Sequence, residues 1–114
     1  MDNQQIQDMF DRAMRIADHA DSLKRQRLLK EAVLSYEEAY NLVMVVLPFV
    51  YVEPTRSVYY QTAAALALDA GMSSEAVRLA DIGLAGKPDY DTQLNLLDIK
   101  ETAQASVEDT QDGD

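Results

Sequence analysis

The feature that most constrains this chain is the spacing of small, aromatic and turn-forming residues between Ser57 and Tyr90. These residues are Tyr60, Ala63, Ala64, Ala67, Gly71, Ala76, Gly83 and Pro88. Two helices approach closely only where their side chains are small, and the alanines supply such positions in two successive segments. Gly71 tolerates the positive φ of a tight turn, and Pro88 ends the second segment. The spacing therefore predicts two short helices packed as an antiparallel pair.

This spacing resembles a tetratricopeptide repeat (TPR), whose period is 34 residues. The segment departs from the repeat at Ala80, where the family has a bulky aromatic residue, and at Gly83, where alanine is usual. A weaker second repeat can be laid over residues 13–46, with Arg27 where a turn glycine is usual. The resemblance implies TPR-like antiparallel helical hairpins, which serve as scaffolds for protein binding.

Residues 56–88 are also similar to the C-terminal part of small uncharacterised bacterial proteins. The shared residues are Arg56-Ser57, Tyr60, Ala63-Ala64, Leu66-Ala67-Leu68, Gly71, Glu75-Ala76, Arg78-Leu79 and Gly83-Leu84-Ala85-Gly86-Lys87-Pro88. No activity comes with this resemblance, so it supports the fold alone.

The first half of the chain predicts long helices, because neither glycine nor proline occurs before Pro48. Apolar residues recur there at helical spacing. Two positions for the break between the helices remain open. Asp21-Ser22 offers N-cap chemistry, whereas the repeat would place the turn near Gln26-Arg27.

The end of the chain predicts one more helix and a tail. Asp91 is the expected N-cap of this fifth helix, and residues 108–114 have no apolar side chain to bury. We therefore predict an all-α protein of about five helices. A single TPR-like domain should cover residues 1–107, followed by a disordered acidic tail over 108–114.

Leu42 to Val52 is the most apolar segment, and it carries no charge. Pro48 should end its helix, and residues 49–52 should run extended before Pro54. Large exposed apolar patches are rare on monomers. The segment therefore either packs between the second and third helices or forms a twofold contact with a second copy, so a monomer and a homodimer both remain open.

Composition argues against several classes of site and partner. Without cysteine, the chain holds neither a disulfide nor a thiolate zinc site. A net charge of −10 repels phosphate backbones, so we expect no nucleic-acid binding. No apolar stretch reaches the about 18–20 residues of a membrane span, and the polar N-terminus does not read as a signal peptide. We expect no membrane association and a cytoplasmic location.

No motif in the sequence points to catalysis, a cofactor or a metal. His19 is the only histidine, and a lone histidine lacks the second ligand that a transition-metal site usually needs. Glu37-Glu38 and Asp89-Tyr90-Asp91 lack the further ligands of a di-metal bundle or a calcium loop. A small enzyme that uses His19 and nearby carboxylates is therefore the least favoured interpretation.

Four basic residues lie within seven positions of the first half: Lys24, Arg25, Arg27 and Lys30. We interpret them as a solvated helix face that balances nearby acidic residues. The alternative is a docking point for an acidic partner or an acidic tail.

The TPR resemblance implies a partner-binding face on the first helix of the clearer repeat. The corresponding residues are Val58, Gln61, Ala65, Leu68 and Asp69. They include neither asparagine nor a basic residue, so the face suits an apolar helix or peptide better than a terminal carboxylate. We predict a small helical interaction module, not an enzyme, that binds a protein or peptide partner. The alternative is a structural homo-oligomeric subunit of a larger assembly.

Overall fold

The computed structural model describes residues 1–112, which form five α-helices and one short 3-10 helix, with no strand among them. The elements are α1 (Asn3–Arg25), α2 (Leu29–Val46), the 3-10 helix (Leu47–Phe49), α3 (Thr55–Asp69), α4 (Ser73–Ala85) and α5 (Tyr90–Asp112). The prediction of an all-α fold with about five helices is confirmed. Helix α1 packs mainly on α2 and α3 on α4, and α5 covers α4 and α3. The chain is thus two helical hairpins followed by a fifth helix.

The two hairpins close with the same turn. Arg27 and Gly71 both have a left-handed backbone, with φ of 64° and 81°. Leu28 and Met72 each donate the backbone N–H to the carbonyl oxygen five residues earlier, at 2.9 and 2.8 Å. This pattern is a Schellman turn, which satisfies the last carbonyl groups of a helix. Each hairpin therefore reverses the chain through one residue of positive φ.

The first break lies at Gln26-Arg27, as the repeat spacing indicated. Helix α1 continues through Asp21-Ser22, so the N-cap alternative is wrong. At Asp21 the carboxylate accepts a hydrogen bond from the hydroxyl of Tyr36 on α2. The side chain that suggested a helix start therefore links the two helices of the hairpin.

Both ends of α5 differ from the sequence prediction. The helix begins at Tyr90, and Asp89 caps it by accepting the backbone N–H of Thr92 at 2.8 Å. The prediction of Asp91 as the N-cap is wrong, because the helix has already begun at Tyr90 and Asp91 lies in its first turn. Residues 108–112, expected to belong to a disordered tail, continue α5, since no glycine or proline interrupts the chain before Gly113. The last two residues lie outside the described range.

Small residues form the contact between α3, α4 and α5. The fully buried ones on α3 and α4 are Ala63, Ala64, Ala67, Ala76 and Ala80. Gly83 faces α5, and a Cβ there would lie 3.1 Å from both Leu96 and the Cβ of Tyr60. The departure from the TPR spacing at Gly83 therefore has a physical reason: α5 and α3 approach too closely for alanine to fit without movement.

The apolar segment from Leu42 to Val52 is divided between the core and the surface. Its buried members are Val43, Val46 and Leu47, and its exposed ones are Val45, Phe49, Tyr51 and Val52. Pro48 ends α2 as predicted, but Phe49 lies in the 3-10 helix and the extended backbone begins only at Val50. The segment is therefore neither wholly core nor wholly surface.

Candidate functional site

Side chains of α1 and α3 meet at two places along these helices. Near their first turns, the ring of Phe10 stacks on that of Tyr59, with centroids 4.3 Å apart. At their last turns, Lys24 and Asp21 of α1 act on the carboxyl group of Asp69. Loss of part of its hydration raises the pKa of Asp69, Lys24 opposes this, and Asp21 adds to it. The part of the molecule where side chains of the two helices meet is here called the α1–α3 face.

An apolar cleft of about 410 Å³ opens at the N-terminal end of this face. It is lined by Met1, Asn3, Ile6, Gln7, Phe49, Val50, Tyr51, Val52, Thr55 and Tyr59. No charged side chain is among these described residues. The side chains of Tyr51 and Val52 are 76% and 72% exposed. Concave, mostly apolar clefts with a few polar groups are the usual form of a binding site.

The five residues predicted to bind a partner share one side of α3. Val58, Gln61, Ala65 and Leu68 are half-buried, and Asp69 is exposed at the end of the helix. None of them lines the cleft. Thr55, which lies one turn before Val58 on the same side of the helix, does line it. The predicted residues and the cleft are therefore neighbouring parts of the α1–α3 face.

A polar network fixes the segment that forms one wall of the cleft. The carboxylate of Glu53 accepts hydrogen bonds from the hydroxyl of Ser57 at 2.5 Å and from the backbone N–H of Lys87 at 2.6 Å. Ser57 is fully buried, and its hydroxyl also lies 3.2 Å from the carbonyl oxygen of Gly83. The network joins the start of α3 to the loop between α4 and α5, although these segments are far apart in the sequence.

The electrostatics of this network favour an ionised Glu53. Burial acts to raise the pKa of its carboxyl group, but the hydrogen bonds from Ser57 and Lys87 and the charge of Arg56 outweigh it and hold the pKa below its usual value. The guanidinium of Arg56 also stacks over the ring of Tyr60, at 4.7 Å from the centroid. A Cβ at Gly86 would lie 3.0 Å from both Arg56 and Glu53. Arg56, Ser57 and Gly86 thus build one structural contact with Glu53.

Tyrosine hydroxyls join α2 to its neighbours. Tyr36 donates to Asp21 on α1, and Tyr40 donates to the carboxylate of Glu75 on α4 at 3.1 Å. Burial raises the pKa of both tyrosines, and the adjacent carboxylates raise it further. Glu75 in turn pairs with Arg78. The bond of Tyr36 therefore links the two helices of the first hairpin, and the bond of Tyr40 links the first hairpin to the second.

The other residues considered for chemistry lie apart. His19 is exposed on α1, and Glu37-Glu38 lie on α2. Within residues 1–112 no three histidine, aspartate or glutamate side chains are grouped so that they could hold a metal ion. Over the same residues, none of the helices has the length and apolar character needed to cross a membrane.

The sequence did not identify the residues of the cleft. Ile6, Phe49, Tyr51 and Val52 come from two distant segments of the chain, and only the folded structure brings them together. The one available signal was the excess of apolar residues between Leu42 and Val52, more than a single helix can bury.

The chain matches no model of a known protein family, no curated protein and no solved structure.

Proposed function

We propose that the chain is a small helical interaction module, without catalytic activity, that binds an apolar helix or peptide of a protein partner along the α1–α3 face. The observation that carries this proposal is the uncharged cleft with Tyr51 and Val52 exposed at its wall. Full burial of one such apolar side chain contributes about 1.5–3 kcal/mol, and a bound partner would bury it. The cytoplasmic location and the lack of nucleic-acid, membrane and cofactor binding expected from the sequence belong to the same proposal.

A relationship to TPR proteins is part of this proposal. It is supported by the two hairpins with matching turns and by α5 covering the second hairpin. The matching turns recur after 44 residues, at Arg27 and Gly71, whereas the TPR period is 34. Some of the additional residues fall in the segment between α2 and α3, residues 47–54, which forms one wall of the cleft. The chain would thus be a TPR-like scaffold whose longer connection adds an apolar binding surface.

The predicted residues of α3 extend the same surface. Val58, Ala65 and Leu68 would contact the apolar side of a bound helix or peptide, since alanine and valine leave room for its side chains. Asp69 and Gln61 would contact its polar edge. The cleft would receive a larger anchor residue, because a few deeply seated side chains dominate most interfaces.

Affinity purification of the tagged full chain from its native host tests this function. The parent is compared with the double variant Tyr51→Ser, Val52→Ser and with the control Val45→Ser, an exposed apolar residue on α2 away from the cleft. Substitutions at such exposed positions change stability by only about 0.5 kcal/mol. Any captured partner is then purified and its dissociation constant measured by calorimetry.

We expect the double variant to bind the partner at least about tenfold more weakly, a difference of about 1.4 kcal/mol. The control should bind like the parent. A partner that binds the double variant and the parent equally well would show that the cleft is not the binding site.

A further inference from the structure

A second apolar surface lies at the turn between α1 and α2. Leu29, Lys30, Val33 and Leu34 line a shallow depression of about 470 Å³. Leu28, Leu29 and Leu34 are exposed. The depression and the basic residues Lys24, Arg25 and Arg27, which are exposed in and before the turn, are together called the turn patch. The turn patch therefore combines an apolar centre with a basic edge.

A complementary surface runs along α5. Tyr90, Leu94 and Leu97 are exposed at intervals of four and three residues, so they lie on one side of the helix. Glu101 and Glu108 continue this line, and Asp98 lies beside it. The only lysine of α5, Lys100, points to α4, where it pairs with Asp81 at 2.7 Å. This surface, called the α5 stripe, has an apolar half and an acidic half.

We propose that the turn patch of one molecule binds the α5 stripe of a second molecule of the same chain. Each surface leaves leucines exposed, and burial of these leucines supplies the attraction. The basic residues of the turn patch match the acidic residues of the α5 stripe, which sets the partner and the orientation. Two turn patches, or two α5 stripes, would bind each other less well, because two basic edges or two acidic halves would repel.

This contact joins two different surfaces, so it is head-to-tail. Each dimer formed in this way retains one free turn patch and one free α5 stripe, and further molecules can add until a ring closes or a filament grows. The proposal does not depend on the cleft, because neither surface includes a cleft residue. A partner bound on the α1–α3 face would thereby be presented in several copies.

Light scattering of the purified full chain over a hundredfold range of concentration tests the contact. The average mass should rise above the 12.7 kDa of one chain as concentration increases. Leu29→Ser removes the centre of the turn patch, and Leu94→Ser removes that of the α5 stripe. Each variant alone should weaken association at least about tenfold, while Val45→Ser and Tyr51→Ser should associate like the parent. Circular dichroism verifies that every variant remains helical.

Mixing the two variants separates this contact from a symmetric one. The Leu29→Ser molecule keeps an intact α5 stripe, and the Leu94→Ser molecule keeps an intact turn patch. An equimolar mixture should therefore form a dimer that neither variant forms alone. Lys30→Glu should also weaken association about tenfold by placing an acidic residue opposite the acidic stripe.

Three results would overturn the proposal. The parent could remain at 12.7 kDa over the whole range, both folded leucine variants could associate like the parent, or the mixture could stay monomeric. None of these results would affect the cleft, whose binding is measured with the Tyr51→Ser, Val52→Ser variant.

Discussion

Glu53→Ala removes the carboxylate that holds the start of α3 against the loop between α4 and α5. The two hydrogen bonds lost come from the hydroxyl of Ser57 at 2.5 Å and from the N–H of Lys87 at 2.6 Å. A hydrogen bond to an ionised group stabilises a protein by about 1.5–3 kcal/mol. The two bonds together therefore contribute about 3–6 kcal/mol before any opposing effect.

Two features of the site reduce this value. Atom Oε1 of Glu53 is buried and finds no hydrogen-bond partner in the part of the chain that the structure describes, which costs about 1–3 kcal/mol. The hydroxyl of Ser57 keeps the carbonyl oxygen of Gly83 as an acceptor, so the substitution leaves it partnered. We expect a net loss of about 2 kcal/mol in the free energy of unfolding, or about 8 °C in Tm for a domain of this size.

The loss should depend on pH. The pKa of Glu53 is lower in the folded protein than its ordinary value of 4.5. Its contribution to stability is therefore complete above pH 4.5 and disappears as the pH falls through the lowered pKa. The difference in unfolding free energy between the parent and Glu53→Ala should shrink accordingly below pH 4.5.

Urea denaturation followed by circular dichroism measures these differences, with Glu38→Ala as the matched control. Glu38 is an exposed carboxylate on α2, and its removal should change stability by less than about 0.5 kcal/mol. If Glu53→Ala is no more destabilising than Glu38→Ala at neutral pH, the network does not hold the start of α3 against the loop between α4 and α5.

Three further predictions concern the fold and are measured by thermal denaturation. Arg27→Gly should stabilise the protein by about 0.5–1 kcal/mol. The left-handed backbone costs a non-glycine residue about 1–2 kcal/mol, and the larger chain entropy of glycine in the unfolded state offsets only part of the gain. Gly71→Ala, with no atom within 4 Å of the added Cβ, should destabilise the protein, and equal signs for the two variants would contradict the equivalence of the turns. Ala76→Leu should cost about 1–3 kcal/mol by overpacking a fully buried position, and an unchanged Tm would contradict the packing of α4. Val46→Glu should abolish cooperative unfolding, since Val46 is fully buried, whereas Val45→Glu should be tolerated at an exposed position of the same helix.

Local signals in the sequence account for the second hairpin. The closely spaced alanines favour close helix packing, Gly71 favours a turn and Pro88 favours a helix end. Together these signals predict α3 and α4. The first hairpin was less certain, because its turn uses Arg27 in a conformation that glycine favours. Only the spacing of the repeat, and no local residue preference, placed the turn there.

The cleft and the polar network depend on contacts that the sequence does not encode locally. Glu53 and Lys87 are 34 positions apart, and nothing near either residue indicates that they meet. The cap of α5 shows the same limit on a smaller scale, because Asp89 and Asp91 are chemically equal and only the start of the helix decides between them. The predicted residues of α3 share one side of the helix because of their spacing, and their role in binding stays a prediction implied by the TPR resemblance. The adjoining cleft depends on contacts between segments that are far apart in the sequence.

Photo-crosslinking in the native host tests directly whether the cleft binds a partner protein. A photoreactive phenylalanine analogue is placed at Tyr51, in the wall of the cleft, and in a matched protein at Val45, which is also exposed but lies outside the α1–α3 face. We expect irradiation to link a distinct partner protein to position 51 and not to position 45, and we expect Phe49→Ser to reduce this product. If position 51 gives no product, or if both positions give the same products in equal amounts, the cleft is not a partner-binding site.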